Sequence, residues 1–445
     1  MPYLPHTEED RQTMLASIGV ASMEDLFTAI PGEVRCGLLN LPPAVSEPEL
    51  LRELDELARA NTLHADGRAF LGGGAYHHHI PAAVSALVAR GEFVTAYTPY
   101  QPEVSQGTLQ VIYEWQSYIC ELTGLDIANA SLYDAATACA EAMMMAVNAT
   151  GRGGVLVAGT LNPQYLQVLR TYCWSQGLAL RELPIEQGCL SLDALLGALD
   201  DQTGAVIVQS PNYFGLIEDQ APLVEAAHTA GAQFISCANP LALALLASPG
   251  QLGADIAVGD AQPFGVSLAY GGPYAGYIAT RESLLRRLPG RIIGASVDTT
   301  GRRAYVMTFR TREQDIRREK ATSNICSNHA LCATTAAIYL SYMGKEGLRA
   351  VANLCLQKAH YAAERIAVLP GYSLAFAGPF FHELAVRTPR PGAAIRDALL
   401  ARGMLAGIPL DGQAGIEHGL LLCVTEQNRK EDIDALVQGL EEAGR

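Results

Sequence analysis

Residues 205–212 are Ala205-Val206-Ile207-Val208-Gln209-Ser210-Pro211-Asn212, a run of apolar residues that stops at a proline. Similar short apolar runs lie before and after it, separated by amphipathic stretches, at residues 155–159, 178–185, 234–237, 256–260 and 276–279. Apolar runs of this length that alternate with helices are typical of a parallel sheet buried on both faces. We therefore predict a large α/β domain with a mostly parallel sheet, whose ligands would lie at the carboxyl ends of the strands.

The chain on either side of this series has a different pattern. Thr7 and Ser46 begin helical stretches within the first 60 residues, each with acidic residues in its first turn. A helical region over residues 331–368 leads into a shorter α+β segment that ends at Arg445. We predict an N-terminal helical arm over residues 1–60, a large α/β domain over residues 61–310 and a smaller C-terminal domain over residues 311–445.

Composition limits the classes of function. The chain has 445 residues and a formal net charge of −15, which argues against a nucleic-acid partner because such binding depends on clustered Lys and Arg. Its 10 cysteines form no CxxC pair, as expected of reduced thiols in a cytoplasmic protein. The first residues lack the pattern of a signal peptide, and no apolar run has membrane-spanning length. We expect a cytoplasmic protein without a membrane segment.

Lysine is scarce in this chain. It occurs only at Lys320, Lys345, Lys358 and Lys430, so the first 319 residues contain none. An arginine-biased genome accounts for most of this scarcity. The consequence is chemical, because a mechanism that needs a lysine amine can use only these positions.

Residues 72–79, Gly-Gly-Gly-Ala-Tyr-His-His-His, suggest a phosphate loop or a metal site at first sight. The GxxxxGK[ST] pattern of a phosphate loop is absent. Successive histidines point in divergent directions, and the sequence shows no accompanying Cys/His cluster. We expect a turn with surface or interface histidines and no metal site.

Two further segments combine polar groups with small or conformationally restricted residues. Residues 97–107 supply tyrosine, threonine and glutamine between two prolines, which suits the binding of a small zwitterion or a phosphate. A polar loop that only caps the next helix is an equally good explanation. Residues 131–142 join a capping signal to small residues, so an anion could bind at the helix N-terminus, although tight packing on a sheet is the commoner reason for such a pattern.

The basic residues between Arg302 and Lys320 form the one concentrated positive run of the chain. An anion clamp and a docking face for an acidic partner are two functional interpretations. A solvated helix whose arginines pair with Glu313 and Glu319 is the structural alternative.

Taken together, the segments resemble one family. The opening residues 2–7, residues 74–81, the run 97–107, residues 122–132 and the string 310–326 are similar, in this order, to the alpha subunit (N-terminal half) of the glycine cleavage system P-protein, glycine dehydrogenase (decarboxylating). The resemblance extends over essentially the whole chain. Asp315 departs from it, because the family pattern has a histidine there, which puts a catalytic role of that position in doubt.

The resemblance implies a fold and a reaction. The fold would be the aspartate-aminotransferase-like fold type I of pyridoxal-phosphate-dependent transferases, with a mostly parallel large-domain sheet and a smaller C-terminal α+β domain. The reaction would decarboxylate glycine with pyridoxal phosphate as the electron sink and pass the aminomethyl group to the lipoyl arm of the H-protein. In two-chain members of this family a beta subunit carries the cofactor lysine, and the chains form an α2β2 tetramer.

The same resemblance implies that this chain has no Schiff-base lysine. The region that corresponds to the cofactor lysine is residues 259–265, followed by residues 270–273, and neither segment contains a lysine. The aspartate that pairs with the pyridinium nitrogen would fall near Asn239, and a neutral amide cannot supply its negative charge. Pyridoxal phosphate is therefore expected on the partner beta subunit.

We expect the chain to complete an active site at the interface with that partner. The loop 97–107 would face the ligand, and its candidate residues lie in the segment 97–105: Tyr97, Thr98, Tyr100, Gln101, Glu103 and Ser105. Arg312, Ser323 and Asn324 are further candidates, and Cys326 is a candidate redox-sensitive thiol. Two alternatives stay open: a scaffold that only stabilises the beta subunit, and an autonomous pyridoxal-phosphate enzyme that uses Lys320.

Overall fold

The computed structural model describes residues 5–37, 39–61, 68–94, 97–309, 314–321, 323, 325 and 327–445, apart from the side chain of Asp315. Two units are distinguished, Met1–Leu63 and His64–Arg445. The predicted division of the second unit into a large and a small domain stays a prediction. Within the described part of the chain, no helix is both long enough and apolar enough to cross a membrane.

The described part of the first unit includes the helices α1 (Glu8–Ile18) and α2 (Glu47–Arg59). Thr7 caps α1 as predicted, because its hydroxyl oxygen accepts the Asp10 N–H at 3.2 Å and the Asp10 carboxylate accepts the Thr7 N–H at 2.8 Å. This reciprocal pair satisfies two N–H groups that a helix start leaves without partners. Short 3₁₀ turns, Met23–Phe27 and Gly32–Val34, lie between the helices.

The second unit is built around a seven-stranded sheet with the strand order β1-β7-β6-β5-β4-β2-β3. Its strands are β1 (Ile127–Ala128), β2 (Gly154–Ala158), β3 (Ala179–Leu183), β4 (Thr203–Gln209), β5 (Gln233–Cys237), β6 (Ile256–Asp260) and β7 (Gly276–Thr280). Strands β2 to β6 are parallel, whereas β7 is antiparallel to both β6 and β1. The predicted mostly parallel sheet is confirmed.

Helices cover both faces of this sheet. They include α5 (Gln106–Thr123), α6 (Ala135–Thr150), α7 (Pro163–Gln176), α8 (Leu192–Leu196) and α9 (Gln220–Thr229), and two shorter helices, α3 (Ala82–Val88) and α4 (Gly91–Val94), precede them in the chain. Ile207 and Ile235 pack in one core with residues of α6 and α7, whereas Val206 and Phe234 pack in another with residues of α8 and α9. Successive strand residues thus face opposite sides, and burial of both sides explains why the strands are continuous apolar runs.

A two-stranded hairpin follows the large sheet and was not predicted. Strands β8 (Ile292–Val297) and β9 (Arg303–Thr308) pair antiparallel, with Ile292 opposite Thr308. The Asp298 carboxylate accepts the Thr300 and Arg302 N–H groups at 2.8 and 2.9 Å and so closes the turn. Arg302 and Arg303 therefore lie in a hairpin, and the predicted helical alternative is wrong for them.

The C-terminal part contains a long helix and a second sheet. Helix α10 (Gln314–Arg317) precedes α11 (Ala330–Ala367), which is interrupted at Gly344. The remaining elements are β10 (Ser373–Leu374), β11 (Glu383–Arg387), α12 (Gly392–Leu400), β12 (Ile408–Pro409), β13 (Gly419–Cys423) and α13 (Lys430–Gly444). The four strands are antiparallel in the order β10-β11-β13-β12, and α12 and α13 complete their apolar core.

Candidate functional site

A cavity of about 440 Å³ lies beside the predicted ligand-facing segment, and we name it the Tyr97 cavity. Its polar lining comprises Tyr97, Thr108, Arg291, Ser327, Asn328, His329 and Thr334. Apolar residues of α4, α5, β8, β9 and α11 complete the wall. A cavity of this size with a few convergent polar groups is the usual form of a small-ligand site.

The segment 97–105 contributes to this cavity chiefly through Tyr97. The Tyr97 side chain is 83% exposed, and its phenol oxygen lies 2.9 Å from the Ser327 Oγ. Tyr100 is half exposed, with its ring 5.8 Å from the Arg291 guanidinium carbon. Thr98 is partly buried, and its carbonyl oxygen accepts the Tyr100 N–H at 2.9 Å. Tyr97 therefore lines the cavity, whereas Tyr100 is near it only through its contact with Arg291; both rings are accessible from outside.

The other predicted site residues lie elsewhere. Gln101 and Glu103 are exposed at a 3₁₀ turn, and Ser105 immediately precedes α5. Ser323 hydrogen-bonds Glu141 and lines a different cavity together with Arg317 and Lys320. Arg312, Asn324 and Cys326 lie outside the described residues.

The floor of the Tyr97 cavity is held by Asn328 and His329. The Asn328 Nδ2 donates to the Ala130 carbonyl oxygen at 3.0 Å and to the Ser131 Oγ at 2.8 Å. The His329 Nδ1 lies 2.7 Å from the Tyr274 carbonyl oxygen, and the imidazole ring packs against Tyr133. These contacts fix both side chains before any ligand arrives.

Arg291 is a charged residue of this cavity that the sequence did not reveal, and the same holds for the polar residues Thr108, Ser327, Asn328, His329 and Thr334. It is only 6% exposed and lies directly before β8, where its Nη1 donates to the Asn328 Oδ1 at 3.4 Å. A single arginine between Gly290 and an apolar strand belongs to no motif, so local patterns carried no signal. Only the packing of β8 against α5 and the start of α11 brings it to the cavity.

A second pocket lies at the carboxyl ends of β4, β5 and β6, where an α/β sheet of this type usually binds its ligand. Its volume is only about 20 Å³. The lining includes Tyr76, Tyr165, Cys237, Asn239 and Asp260. This volume holds about one water molecule, so side chains already fill the space at the strand ends.

Asp260 is the charged group of this filled pocket. Its carboxylate accepts the Gln262 N–H at 2.9 Å, the Ala275 N–H at 3.4 Å and the Ala135 N–H at 3.2 Å. Burial raises the pKa of this carboxyl to about 7, although these hydrogen bonds act to lower it. Because Ala135 begins α6, a carboxyl group already holds the helix N-terminus at which a phosphate would otherwise bind.

Gln262 stands two residues beyond β6, inside the region to which the family resemblance assigns the cofactor lysine. Its Oε1 accepts the Tyr76 N–H at 2.8 Å, and its Nε2 donates to the carbonyl oxygens of Tyr76 at 2.9 Å and Val266 at 3.0 Å. The amide is thus fully used in holding the segment 72–79. Among the described lining residues of the strand-end pocket there is no lysine. The residues present do not fit pyridoxal phosphate.

Glu383 fixes the glycine-rich part of the same segment. Its carboxylate accepts the Gly73 N–H at 2.6 Å and the Tyr76 hydroxyl at 2.9 Å. Burial raises the pKa of this carboxyl to about 7. A Cβ at Gly72 would lie 2.3 Å from the Glu383 Oε1, so glycine is needed for this close approach.

The histidine run is only partly a surface feature. His78 is 6% exposed, and its Nδ1 lies 2.7 Å from the Glu426 Oε2, which also accepts from the Cys355 Sγ at 3.3 Å. The expectation of surface histidines is wrong for His78, because Glu426 supplies a buried hydrogen-bond partner from a distant part of the chain. This His–Glu–Cys group has metal-ligand chemistry, but hydrogen bonds already account for the contacts between its members.

The predicted basic run is divided by the fold. Arg317 and Lys320 line a cavity of about 160 Å³ together with Arg286 and Arg287, whereas Arg302 and Arg303 belong to the hairpin. Arg310 and Arg312 lie outside the described residues. The choice between an anion clamp and a docking face stays open.

Comparisons with known proteins agree with one another. The family model described as the glycine cleavage system P-protein matches residues 1–440. A protein of Moorella thermoacetica named probable glycine dehydrogenase (decarboxylating) subunit 1 is 52% identical over 442 residues, covering 99% of both chains. The protein of the same name from Desulfitobacterium hafniense is 50% identical over 444 residues, covering 99% of this chain and 100% of its own.

Solved structures give the same result. A crystal structure of glycine decarboxylase (P-protein) of the glycine cleavage system, in inhibitor-bound form, is similar with a TM-score of 0.93 and 46% identity, and the match covers 100% of both chains. A sphingosine-1-phosphate lyase of Burkholderia pseudomallei K96243 is similar in fold, with a TM-score of 0.69 and 17% identity over 92% of both chains. These similarities confirm the predicted fold type I.

Proposed function

The chain belongs to the glycine cleavage system P-protein family, and from this membership we propose that it is one subunit of a two-chain glycine dehydrogenase (decarboxylating). In this proposal a second subunit carries the lysine that holds pyridoxal phosphate, and the cofactor acts as the electron sink for decarboxylation of glycine. The aminomethyl group then passes to the lipoylated H-protein. The assembly would be an α2β2 tetramer in the cytoplasm.

The filled strand-end pocket supports the assignment of the cofactor to the partner. The four lysines of the chain lie elsewhere: Lys320 at a separate cavity, Lys345 and Lys358 on α11, and Lys430 at an ion pair with Asp434. Asp260 already accepts the N–H of Ala135 at the start of α6, and Gln262 stands in the region to which the family resemblance assigns the cofactor lysine. We therefore assign no step of the reaction to a cofactor held by this chain.

The observation that carries the proposal is the contrast between the two pockets. The strand-end pocket is filled, whereas the Tyr97 cavity is open and has an exposed aromatic residue on its rim. A site that lacks its own cofactor but presents neutral hydroxyl and amide groups suits an active site completed across an interface. Tyr97, Ser327 and Asn328 would orient a substrate there and exclude water.

Reconstitution with the second subunit, the H-protein, pyridoxal phosphate and glycine tests the proposal. Glycine-dependent release of carbon dioxide should require both subunits. An undiminished rate without this chain would refute the proposal. Tyr97→Phe and Tyr100→Phe then separate a shared site from a scaffold: a lower rate with a normal tetramer supports the shared site, and a normal rate supports the scaffold.

The autonomous-enzyme alternative has a direct test. Lys320 lines a cavity with Arg286, Arg287 and Arg317, remote in sequence from the strand-end pocket. The isolated chain should show no cofactor absorbance after incubation with pyridoxal phosphate, borohydride and dialysis. A fixed adduct at Lys320 would contradict the proposal that the partner holds the cofactor.

A further inference from the structure

Arg291 is a buried cation without an acidic partner among the residues that the structure describes. Its side chain is 6% exposed, and the contacts found for its guanidinium are the Asn328 Oδ1 at 3.4 Å and the face of Tyr100 at 5.8 Å. A buried charge is costly to desolvate and is usually paired. A neutral amide and an aromatic ring compensate it only in part, so a bound anion would complete the compensation of this charge.

The backbone holds Arg291 in a fixed position. Its carbonyl oxygen accepts the Ala130 N–H at 2.8 Å, and the Gln116 Oε1 accepts the Ile293 N–H at 2.9 Å. Gly290 has a φ of +73°, and a Cβ there would lie 3.0 Å from the Asn129 Nδ2. The chain therefore enters β8 along one path, and the guanidinium is preorganised.

Asn328 sets the orientation of the guanidinium. Because its Nδ2 donates to Ala130 and Ser131, its Oδ1 is the atom directed at Arg291. One edge of the guanidinium is thus engaged, while Arg291 also lines the Tyr97 cavity. No acidic side chain of the described chain lines that cavity. Its electrostatic character is positive, which favours a small anion.

We propose that Arg291 binds the carboxylate of the amino-acid substrate. This inference rests on the proposed function, and it names the group of this chain that recognises glycine. A guanidinium presents parallel N–H donors that match the two oxygens of a carboxylate. Among the described lining residues, Arg291 is the permanently charged group, and it would select an amino acid over a simple amine.

The loss of carbon dioxide gives this role a kinetic signature. The carboxylate charge disappears as the carbon–carbon bond breaks, so an ion pair with Arg291 is stronger in the bound substrate than in the transition state. Removing the arginine should therefore raise KM without lowering kcat. A residue that only maintained the structure would instead lower kcat and stability together.

Arg291→Met and Arg291→Lys test the inference in the complete, reconstituted enzyme. For Arg291→Met we expect the KM for glycine to rise roughly tenfold or more, with an intermediate rise for Arg291→Lys. Competition by methylamine, which has no carboxylate, should be unchanged. Equilibrium titration with glycine, followed by cofactor absorbance, should show the same loss of affinity without turnover. Arg396→Met, at an exposed arginine of α12, is the matched control.

If Arg291 binds a different anion, the Arg291→Met variant gives different results. If Arg291→Met lowers the affinity for pyridoxal phosphate and spares the KM for glycine, the arginine serves the cofactor phosphate and the inference is wrong. If it prevents assembly, the anion is a carboxylate of the partner, which also overturns the inference. The isolated variant should melt no lower than the wild type, because an unpaired buried charge is removed. Loss of rate on omission of the chain tests the proposed function separately.

Discussion

The phenol oxygen of Tyr97 lies 2.9 Å from the Ser327 Oγ, across 230 residues of sequence. This contact joins the segment before α5 to the segment before α11 at the rim of the Tyr97 cavity. The tyrosine ring is nevertheless 83% exposed. Tyr97 is thus positioned through its hydroxyl group while its ring remains available to a neighbouring molecule.

Ser327→Ala should lower the rate of the reconstituted enzyme about three- to tenfold, because the Tyr97 hydroxyl loses the group that positions it. Stability should change little, since the pair is exposed. The control is Ser341→Ala, since Ser341 Oγ and the Tyr118 hydroxyl form a similar exposed pair at 2.8 Å. Equal rates for the two variants would contradict the role of Ser327 in positioning the Tyr97 hydroxyl.

Asp260→Asn should change the pH dependence of stability. The pKa of this carboxyl is raised from 3.8 to about 7 by burial, so between these values the folded chain retains a proton that the unfolded chain releases. The free energy of unfolding therefore falls as pH rises through this window, by up to about 1.4 kcal/mol per unit for one group. Glu141 and Glu383 add slopes of the same sign, because their pKa values are also raised to about 7.

Urea unfolding at pH 5 and pH 8 measures this effect. The free energy of unfolding of Asp260→Asn should depend less steeply on pH than that of the wild type. The difference in slope should correspond to about one proton. Asp201→Asn, at an exposed carboxylate, should reproduce the wild-type slope. An Asp260→Asn variant with an unchanged slope would show that the carboxyl is not protonated in the folded chain.

Tyr76→Phe should destabilise the fold by about 1–3 kcal/mol, because the Glu383 carboxyl loses the hydroxyl donor that lies at 2.9 Å. The pKa of Glu383, already raised to about 7 by burial, should rise further. The loss of stability should be greater at pH 8 than at pH 5. The ionised Glu383 carboxylate depends more on the Tyr76 hydroxyl donor than the protonated carboxyl does. Tyr342→Phe on the exposed face of α11 should have no effect at either pH.

Gly215→Ala should be among the most damaging small substitutions. Gly215 has a φ of +89°, and a Cβ there would lie 2.0 Å from the Glu383 carbonyl oxygen. Gly412 has a similar φ of +76° with nothing within 4 Å of an added Cβ. Gly412→Ala should cost about 1–2 kcal/mol from backbone strain alone. Urea unfolding measures both variants. If Gly215→Ala has the same unfolding midpoint as Gly412→Ala, the clash with the Glu383 carbonyl oxygen adds no cost and the prediction is wrong.

The sheet was predictable because its central strands, β2 and β4 to β7, are buried on both faces, whereas the edge strand β3 is largely exposed. Residues 205–209 fall within β4, and residues 256–260 coincide with β6. The apolar runs did not reveal strand direction, because β7 is antiparallel to β6 and yet as apolar as its neighbours. The hairpin β8–β9 escaped prediction because exposed and buried residues are mixed along it, without a continuous apolar run.

The site was predictable only where its residues are close in sequence. The tyrosines and prolines of segment 97–105 form a local polar cluster, whereas Arg291 has no distinctive neighbours. Its contact with Asn328 spans 37 residues, and the hydrogen bond from Tyr76 to Glu383 spans 307. Such long-range contacts form because of the way strands and helices pack. Local sequence patterns do not specify that packing.

The filled strand-end pocket has a consequence for the chain before it meets a partner. A ligand that binds only the folded state stabilises that state according to its free concentration. Under the proposed function, with Asp260 and Tyr165 in that place, the chain would have no such dependence through this pocket. A freshly synthesised copy should therefore mature equally well in cells starved of vitamin B6 and in cells that are well supplied.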